Sequence, residues 1–471
     1  MSGILKGLSP ERVFDFFEAI SAVPRGSGNT KAISDFCLDF ARERGLDAFG
    51  DEWNNVLIKK PASPGYEEHP AVILQGHLDM VCEKDPGSAH DFLKDGLSLR
   101  VEGDWISADG TTLGGDDGIA VAMGLAILDD DSLPHPPLEV LFTSDEETGM
   151  YGAAGLDPSR ITGRTLLNLD SEAEGILTVS CAGGARCELS LPLFRLPLRE
   201  EAKKITVTGL AGGHSGTEIN KGRLNANKLL GDFLVSLPSF RLVSAAGGLK
   251  DNAIPRSSSA VIACGADLPA LAREFRDKNR VETDPGLQIL VEDAPGASFA
   301  FTEKESRKAA LFLSSLPNGV QAMSREIEGL VETSLNFGIL SSDERGITAS
   351  FSVRSSVNRS KAVLLDVLSS YADDFGGSSS TRGHYPAWEY REDSRLRRVM
   401  EEIYEEQTGK KPVVEAIHAG LECGLFADKL PGLDAVSIGP DMADIHTSRE
   451  RLSVSSVKRT WDYVLAILKA L

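Results

Sequence analysis

Apolar runs that end in polar residues recur along this chain. Val72-Ile73-Leu74 is β-branched and apolar, as a buried strand is, and Gln75-Gly76 closes it. His77 and Asp79 follow two residues apart, a spacing that points both side chains the same way from extended backbone. Val56–Ile58, Leu138–Thr143, Thr165–Asp170 and Ala435–Ile438 read as further strands, the second and third running into acids. Helical spacing lies between them. Val13, Phe16 and Ile20 follow a Ser9-Pro10-Glu11 start, and Ile33, Phe36, Cys37 and Phe40 follow an Asn29 cap. Ile119–Leu128, rich in small apolar residues, predicts a helix buried on most sides. Ser394–Gln407 and Val454–Leu471 are further helices, whereas residues 85–115 read as a long irregular excursion.

From about residue 186 the texture changes. Lys204–Gly209 alternates as a half-exposed antiparallel strand does. Leu224–Val235 and residues 303–315 read as helices, Ala260–Ala263 as a strand and 347–353 as an edge strand, which suggests a sheet with helices on one face. Ser378–Ser380 is the one linker-like spot. The fold class is therefore α/β, with residues 1–185 and 385–471 forming one domain and an α+β domain inserted at 186–384. A length of 471 residues exceeds what one core supports, which agrees with two domains.

Charge narrows the partners. With 49 basic and 70 acidic residues the formal charge is −21, which argues against nucleic acid or anionic membrane as a partner. The first residues carry acids and no long apolar core, so no signal peptide is expected, and no apolar run reaches membrane-spanning length. Six cysteines without a CxxC pair read as reduced thiols in a cytoplasmic protein.

His77, Asp79, Asp116, Glu146, Glu147, Asp170 and His446 all fall at, or just beyond, the C-terminal end of an apolar strand or in the loop that follows. In open α/β sheets that edge binds ligands. Capping and dipole compensation alone would place Asp116 and Asp117 at a helix start, and a solvated loop would tolerate Asp145-Glu146-Glu147. Carboxylates that converge in one cleft, however, need compensation. A divalent metal supplies it, and mixed imidazole and carboxylate ligation suits Zn²⁺ or another first-row ion better than Ca²⁺ or Mg²⁺. Two metals sharing one carboxylate would use the whole set, which is a hydrolytic architecture.

The strings HLDM at 77–80, LGGDDGIA at 113–120, SDEETGMYGA at 144–153, NLDSE at 168–172 and GGHSG at 212–216, with the late His446, resemble the di-zinc peptidases and deacylases. That family includes glutamate carboxypeptidases, acetylornithine deacetylase and carnosinases. Within it CAGG at 181–184, DNAIPR at 251–256, VETSLN at 331–336, IHAGLECGLF at 417–426 and VSIGP at 436–440 are similar to the bacterial Xaa-His dipeptidases, and the resemblance spans nearly the whole chain. It implies a mixed-sheet catalytic domain with an inserted lid and dimerisation domain. It also implies two zinc ions, with His77 and Asp170 on one, Glu147 and His446 on the other, and Asp116 bridging. Asp79 would orient His77, and Glu146 would be the general base. His214 would donate to the developing oxyanion, from its own chain or a dimer partner. Arg354, and less directly Asn252, would hold a substrate carboxylate. His418 and Glu422, four apart, would either back the ligands or stabilise the fold, without a catalytic role. Two departures stand out: Asp117 replaces a common asparagine, and Asp444-Ile445 replaces a more usual glycine-proline before His446.

The expected activity is hydrolysis of dipeptides, of β-Ala-His or other Xaa-His type, by a soluble homodimer. An N-acyl amino acid deacylase on the same scaffold and a non-catalytic relative are the alternatives.

Overall fold

Strands Leu138–Thr143, Val72–His77, Thr165–Asn168 and Asp434–Ser437 lie side by side and run parallel. They form the middle of an eight-stranded mixed sheet in a computed structural model that describes residues 3–471. Val56–Lys60 and Asp47–Gly50 extend it antiparallel on one side, and Ile176–Cys181 and Val413–Ile417 extend it on the other. Every residue of Val72–His77 and Leu138–Thr143 is buried, as expected of parallel strands covered on both faces. Helix Gly115–Asp129 is buried from its first residue to Leu128 and packs on Val72–His77 and on helix Glu11–Ser21. Gly124 permits this approach: a Cβ there would lie 2.9 Å from the Phe142 ring.

The Val72 strand runs on through Gly76 to His77 rather than ending at the glycine. Gly76 is there because a Cβ would meet Ala120 and Asp117, each at 2.5 Å, where the buried helix crosses the strand. Residues 85–115 are not wholly irregular, since Leu99–Glu102 and Trp105–Ala108 form a hairpin that pairs with Arg451–Ser453 in a small four-stranded sheet. These are short, half-exposed strands with little apolar signal. At the N-terminus the first helix begins after Pro10, without a side-chain cap from Ser9, and the second begins after Thr30 rather than Asn29, also without a side-chain cap.

The chain divides into two compact units. The first comprises residues 1–180, 390–416 and 421–471, and the second residues 181–389 and 417–420. The second therefore begins earlier than 186 and ends later than 384. Strand Gly183–Pro192 lies between Gly346–Ser355 and Ser378–Tyr385 in its sheet, and Ala182 N–H donates to the carbonyls of Ile417 and Ala419. That sheet has nine antiparallel strands, and Ile347, Ala349, Phe351 and Val353 point into a core shared with helices Ala226–Ser236, Glu303–Ser315 and Asn358–Asp374. Residues 347–353 are thus an interior strand. The edges are Gln288–Asp293 and Ser378–Tyr385, the latter containing the stretch read as a linker. Among the described residues no helix is long and apolar enough to cross a membrane.

Candidate metal centre

The C-terminal ends of the four parallel strands deliver the candidate ligands. His77 ends its own strand; Glu146 and Glu147 follow Thr143; Asp170 follows Asn168; and the segment after Ser437 leads to His446. Asp116 comes from the first turn of the buried helix, and the Asp116–Asp117 peptide is cis. Two of the presenting turns are held in a costly backbone region. Asp145 (φ 52°), Asp444 (φ 54°) and His446 (φ 58°) are non-glycine residues with left-handed φ, which costs on the order of 1–3 kcal/mol each and clusters at functional sites.

Asp116 is the geometric centre. Its Oδ1 lies 3.1 Å from His77 Nε2, and its Oδ2 lies 3.1 Å from His446 Nε2. Asp170 Oδ1 is 3.6 Å from His77 Nε2, and Glu147 Oε1 is 3.1 Å from His446 Nε2. Each oxygen of one carboxylate thus faces its own imidazole and its own second acid. His77, Asp116 and Asp170 form one group of possible ligands, and Asp116, Glu147 and His446 another, with ligand atoms within 4.8 Å of one another in each. His77, Glu146 and Glu147 also converge within that limit. Asp79 lies behind His77: the imidazole Nδ1 is 3.1 Å from its carbonyl and 3.4 Å from its carboxylate. The Asp79 carboxylate also accepts the N–H groups of Glu146 (3.0 Å) and Glu147 (3.3 Å) and the Ser27 hydroxyl. One buried carboxylate thereby fixes both the imidazole and the acidic turn.

The charges explain why this arrangement fits cations. Burial pulls the His77 imidazole down, but Asp170, Asp116 and Asp79 outweigh it and raise it well above its ordinary value. Hydrogen bonding to Asp116 and Glu147 raises His446 to about 10 against the burial that opposes it. Asp170 is pushed well up by burial and by Asp117 and Asp116, against His77. Burial, with Glu147, Asp116 and Asp79 and against His77, pushes Glu146 up to about 7. Protons here substitute for positive charge that the residues themselves lack. One ring nitrogen, His446 Nε2, is shared between Glu147 Oε1 and Asp116 Oδ2, so it serves two acids at once. The donor set therefore fits two divalent ions, which would replace the protons and pull the acids back down.

Asp117 resolves one departure from the expected pattern. Its Oδ2 accepts the His77 N–H at 3.0 Å, and burial raises its carboxyl well above the usual carboxylate range, towards the neutral form in which it would resemble the asparagine common there. Glu422 lies under the same strand ends. Its Oε2 accepts from Gln75 Nε2 and the Thr143 hydroxyl, each at 2.7 Å, and Gln75 Oε1 accepts from Asn168. This buried network joins three parallel strands two or three residues before their ligands. Sequence reading missed Gln75, Thr143 and Asn168, because each is one polar residue in an apolar strand.

The remaining candidates belong to the second unit. His214 Nδ1 accepts the N–H groups of Gly216 (3.3 Å) and Thr217 (3.2 Å), which leaves the proton on Nε2. Burial and Arg354 lower its pKa, against Glu218, so the ring is a neutral donor. Arg354 Nη1 donates to the Tyr385 hydroxyl at 3.0 Å. His418 Nε2 lies 2.7 Å from the Ser334 hydroxyl, and burial with Arg354 lowers it to about 4. Asn252 is exposed, and its backbone carbonyl accepts the Ser215 N–H.

Residues 73–470 match the model of peptidase family M20/M25/M40. The chain is 37% identical over 477 residues to the cytosol non-specific dipeptidase of Escherichia coli K12, covering 99% of this chain and 98% of that protein. The crystal structure of aminoacylhistidine dipeptidase from Vibrio alginolyticus superposes with a TM-score of 0.94 at 37% identity, over 99% of this chain and 98% of that one. An aminopeptidase from Bacillus cereus shares the fold at 17% identity, with a TM-score of 0.56 over 98% of both chains.

Glu422 gives the layer beneath the ligands a measurable signature. Burial and Glu146, against the Thr143 hydroxyl, push its carboxyl from an ordinary 4.5 up to about 8. Between those values the folded chain keeps a proton that the unfolded chain has lost. The stability this confers is complete below about 4.5 and drains away as pH rises towards about 8. Glu422→Gln has no proton to lose and can still accept from Gln75 and Thr143. In thermal unfolding of metal-free protein, the variant's midpoint relative to wild type should climb across that window. A difference independent of pH would mean that Glu422 is ionised throughout.

Proposed function

The chain belongs to peptidase family M20/M25/M40 and is a peptide hydrolase, and from that premise we propose that it cleaves dipeptides with two divalent cations, zinc in the first instance. One observation carries the reading: the two oxygens of Asp116 face separate imidazole–carboxylate pairs at 3.1 Å each, the arrangement a bridging ligand needs. His77 and Asp170 would hold one ion and Glu147 and His446 the other. Imidazole with carboxylate favours zinc over the hard oxygen-seeking cations. When bound, the ions would make a water nucleophilic and polarise the scissile carbonyl.

The chain's own residues do the rest. Glu146 takes the proton from the attacking water and returns it to the leaving amine; burial raises its carboxyl, while His77 and the bound ions would lower it, and the two opposing pulls set its basicity. Asp79 holds the His77 ring and the Glu146–Glu147 turn in register. His214, a neutral Nε2–H donor, stabilises the oxyanion as it forms. Arg354 and Asn252 receive the substrate's C-terminal carboxylate, for which a guanidinium fork is well suited. The substrate class is the dipeptide, with Xaa-His peptides among those accepted. The two full-length relatives at 37% identity are named for non-specific and for aminoacylhistidine dipeptidase activity, and neither for deacylation. The retained Glu146 disfavours a non-catalytic relative. The name of the Escherichia coli relative supports a cytosolic setting.

A homodimer through the second unit completes the reading. The edge strand Ser378–Tyr385 is largely exposed, and the helix Asn358–Asp374 beside it exposes Val363 and Val367. Sedimentation at micromolar concentration should give a dimer; monomer alone would contradict it.

Kinetics separate the assigned roles. Glu146→Gln keeps the size and removes the base, so kcat should fall by roughly 10²–10⁴ while metal content stays. Glu147→Gln should instead lower metal occupancy. His214→Ala should depress kcat by about 10²–10³, with KM little changed and metal retained. If the two glutamate variants behave in the opposite sense, their roles are exchanged, and a His214 effect confined to KM would make that residue a ground-state contact.

A further inference from the structure

The bridging position of Asp116 rests on one tight turn, Leu113–Asp116, and two buried charged side chains from distant parts of the chain grip it. Glu450 Oε2 accepts the N–H groups of Leu113 (2.8 Å) and Gly114 (2.9 Å), and its Oε1 accepts those of Gly115 (2.7 Å) and Asp116 (3.2 Å). Arg25 donates from Nη2 to the Gly114 carbonyl, and from Nη1 to the carbonyls of Leu78 (3.1 Å) and Asp79 (3.2 Å). Both side chains are 2% exposed. The glycines of the LGGDDG stretch are shaped to this grip. Gly114 has φ +63°, and a Cβ there would lie 2.5 Å from Arg25 Nη2; one at Gly118 would lie 2.4 Å from the same atom.

We infer that Arg25 and Glu450 are positioning residues that set the bridging geometry of Asp116, and with it the affinity of the site for its second ion. The inference rests on the metal-centre reading above. Arg25 ties the backbone immediately after His77 to the turn before Asp116. Glu450 ties that turn to the segment that presents His446, since its own N–H donates to Thr447 one residue beyond that ligand. The backbones of three ligands that must agree to within a fraction of an ångström are thus cross-linked by two side chains, neither of them among the ligands. A guanidinium that only filled space would not need three carbonyls from two segments. A carboxylate that only balanced charge would not need four successive N–H groups. Such outer partners typically contribute 10–100-fold in metal affinity.

Glu139 supplies the control. It is also a buried carboxylate of the first unit, accepting the N–H groups of Thr162 and Gly163 and the Lys59 ammonium, but it belongs to a different turn. Zn²⁺ alone would be titrated into chelator-treated full-length protein against a competing indicator dye, with the unfolding midpoint of each metal-free variant recorded alongside. Wild type should bind two ions. Glu450→Gln, which turns an amide N–H₂ towards N–H donors, and Arg25→Lys, which cannot span three carbonyls in one plane, should each weaken at least one ion by about 10–100-fold. Glu450→Asp, which keeps the charge on a shorter arm, should recover part of the loss, and it decides the matter if Glu450→Gln does not fold. Glu139→Gln should lower the midpoint and leave zinc affinity unchanged. Wild-type affinity in folded Glu450 and Arg25 variants, or an equal loss in Glu139→Gln, would overturn the inference. A wild-type protein that takes up no zinc would overturn the metal reading beneath it.

Discussion

Carboxylates crowded around two imidazoles at one sheet edge are the constraint on which the rest of this structure depends. Asp79, Asp116, Glu146, Glu147 and Asp170 converge with His77 and His446 at an edge where His77, Asp79 and Asp116 are buried, and like charges so placed cannot all remain ionised without positive charge among them. The protein meets that demand with imidazoles raised above their ordinary range and with carboxyls, notably Asp170 and Glu146, pushed up from theirs. Divalent cations meet it better, and they convert the electrostatic cost of assembly into binding and polarising power.

Holding such a set in place requires a stiff support, and the sheet supplies it. Four parallel strands present the candidate ligands at one edge, and Val72–His77 and Leu138–Thr143 are buried throughout. Beneath the ligands the Glu422–Gln75–Asn168 network with Thr143 locks the strand ends laterally. Around them, Asp79 spends its lone pairs on the N–H groups of the acidic turn, and Glu450 does the same for the turn before Asp116. Backbone amides aimed at buried carboxylates are the recurring device, because they satisfy both partners without adding mobile charge.

Much of this was legible in the sequence. The apolar strands announced themselves by composition, and the residues at their ends stood out as candidate ligands because imidazole and carboxylate groups recurred at one strand end after another. Division of labour among those residues came from the family resemblance, since spacing alone does not distinguish Glu146 from Glu147. The half-exposed hairpin at 99–108 was missed because its strands are short and half-polar, and the interior strand at 347–353 passed for an edge because alternation reports one buried face, not neighbours. Arg25 and Glu450 left no local trace. Arg25 sits in a proline–glycine turn, and Glu450 meets its partners across more than 330 residues of sequence, so only the folded chain brings its carboxylate to those N–H groups.

Elemental analysis of protein purified without chelator, run beside a dipeptide hydrolysis assay before and after metal removal, tests the central claim most directly. The dinuclear reading predicts close to two divalent ions per chain, hydrolysis abolished when they are stripped, and hydrolysis restored when zinc is returned. Full activity in protein that carries no metal, or a saturating content of one ion per chain, would contradict it.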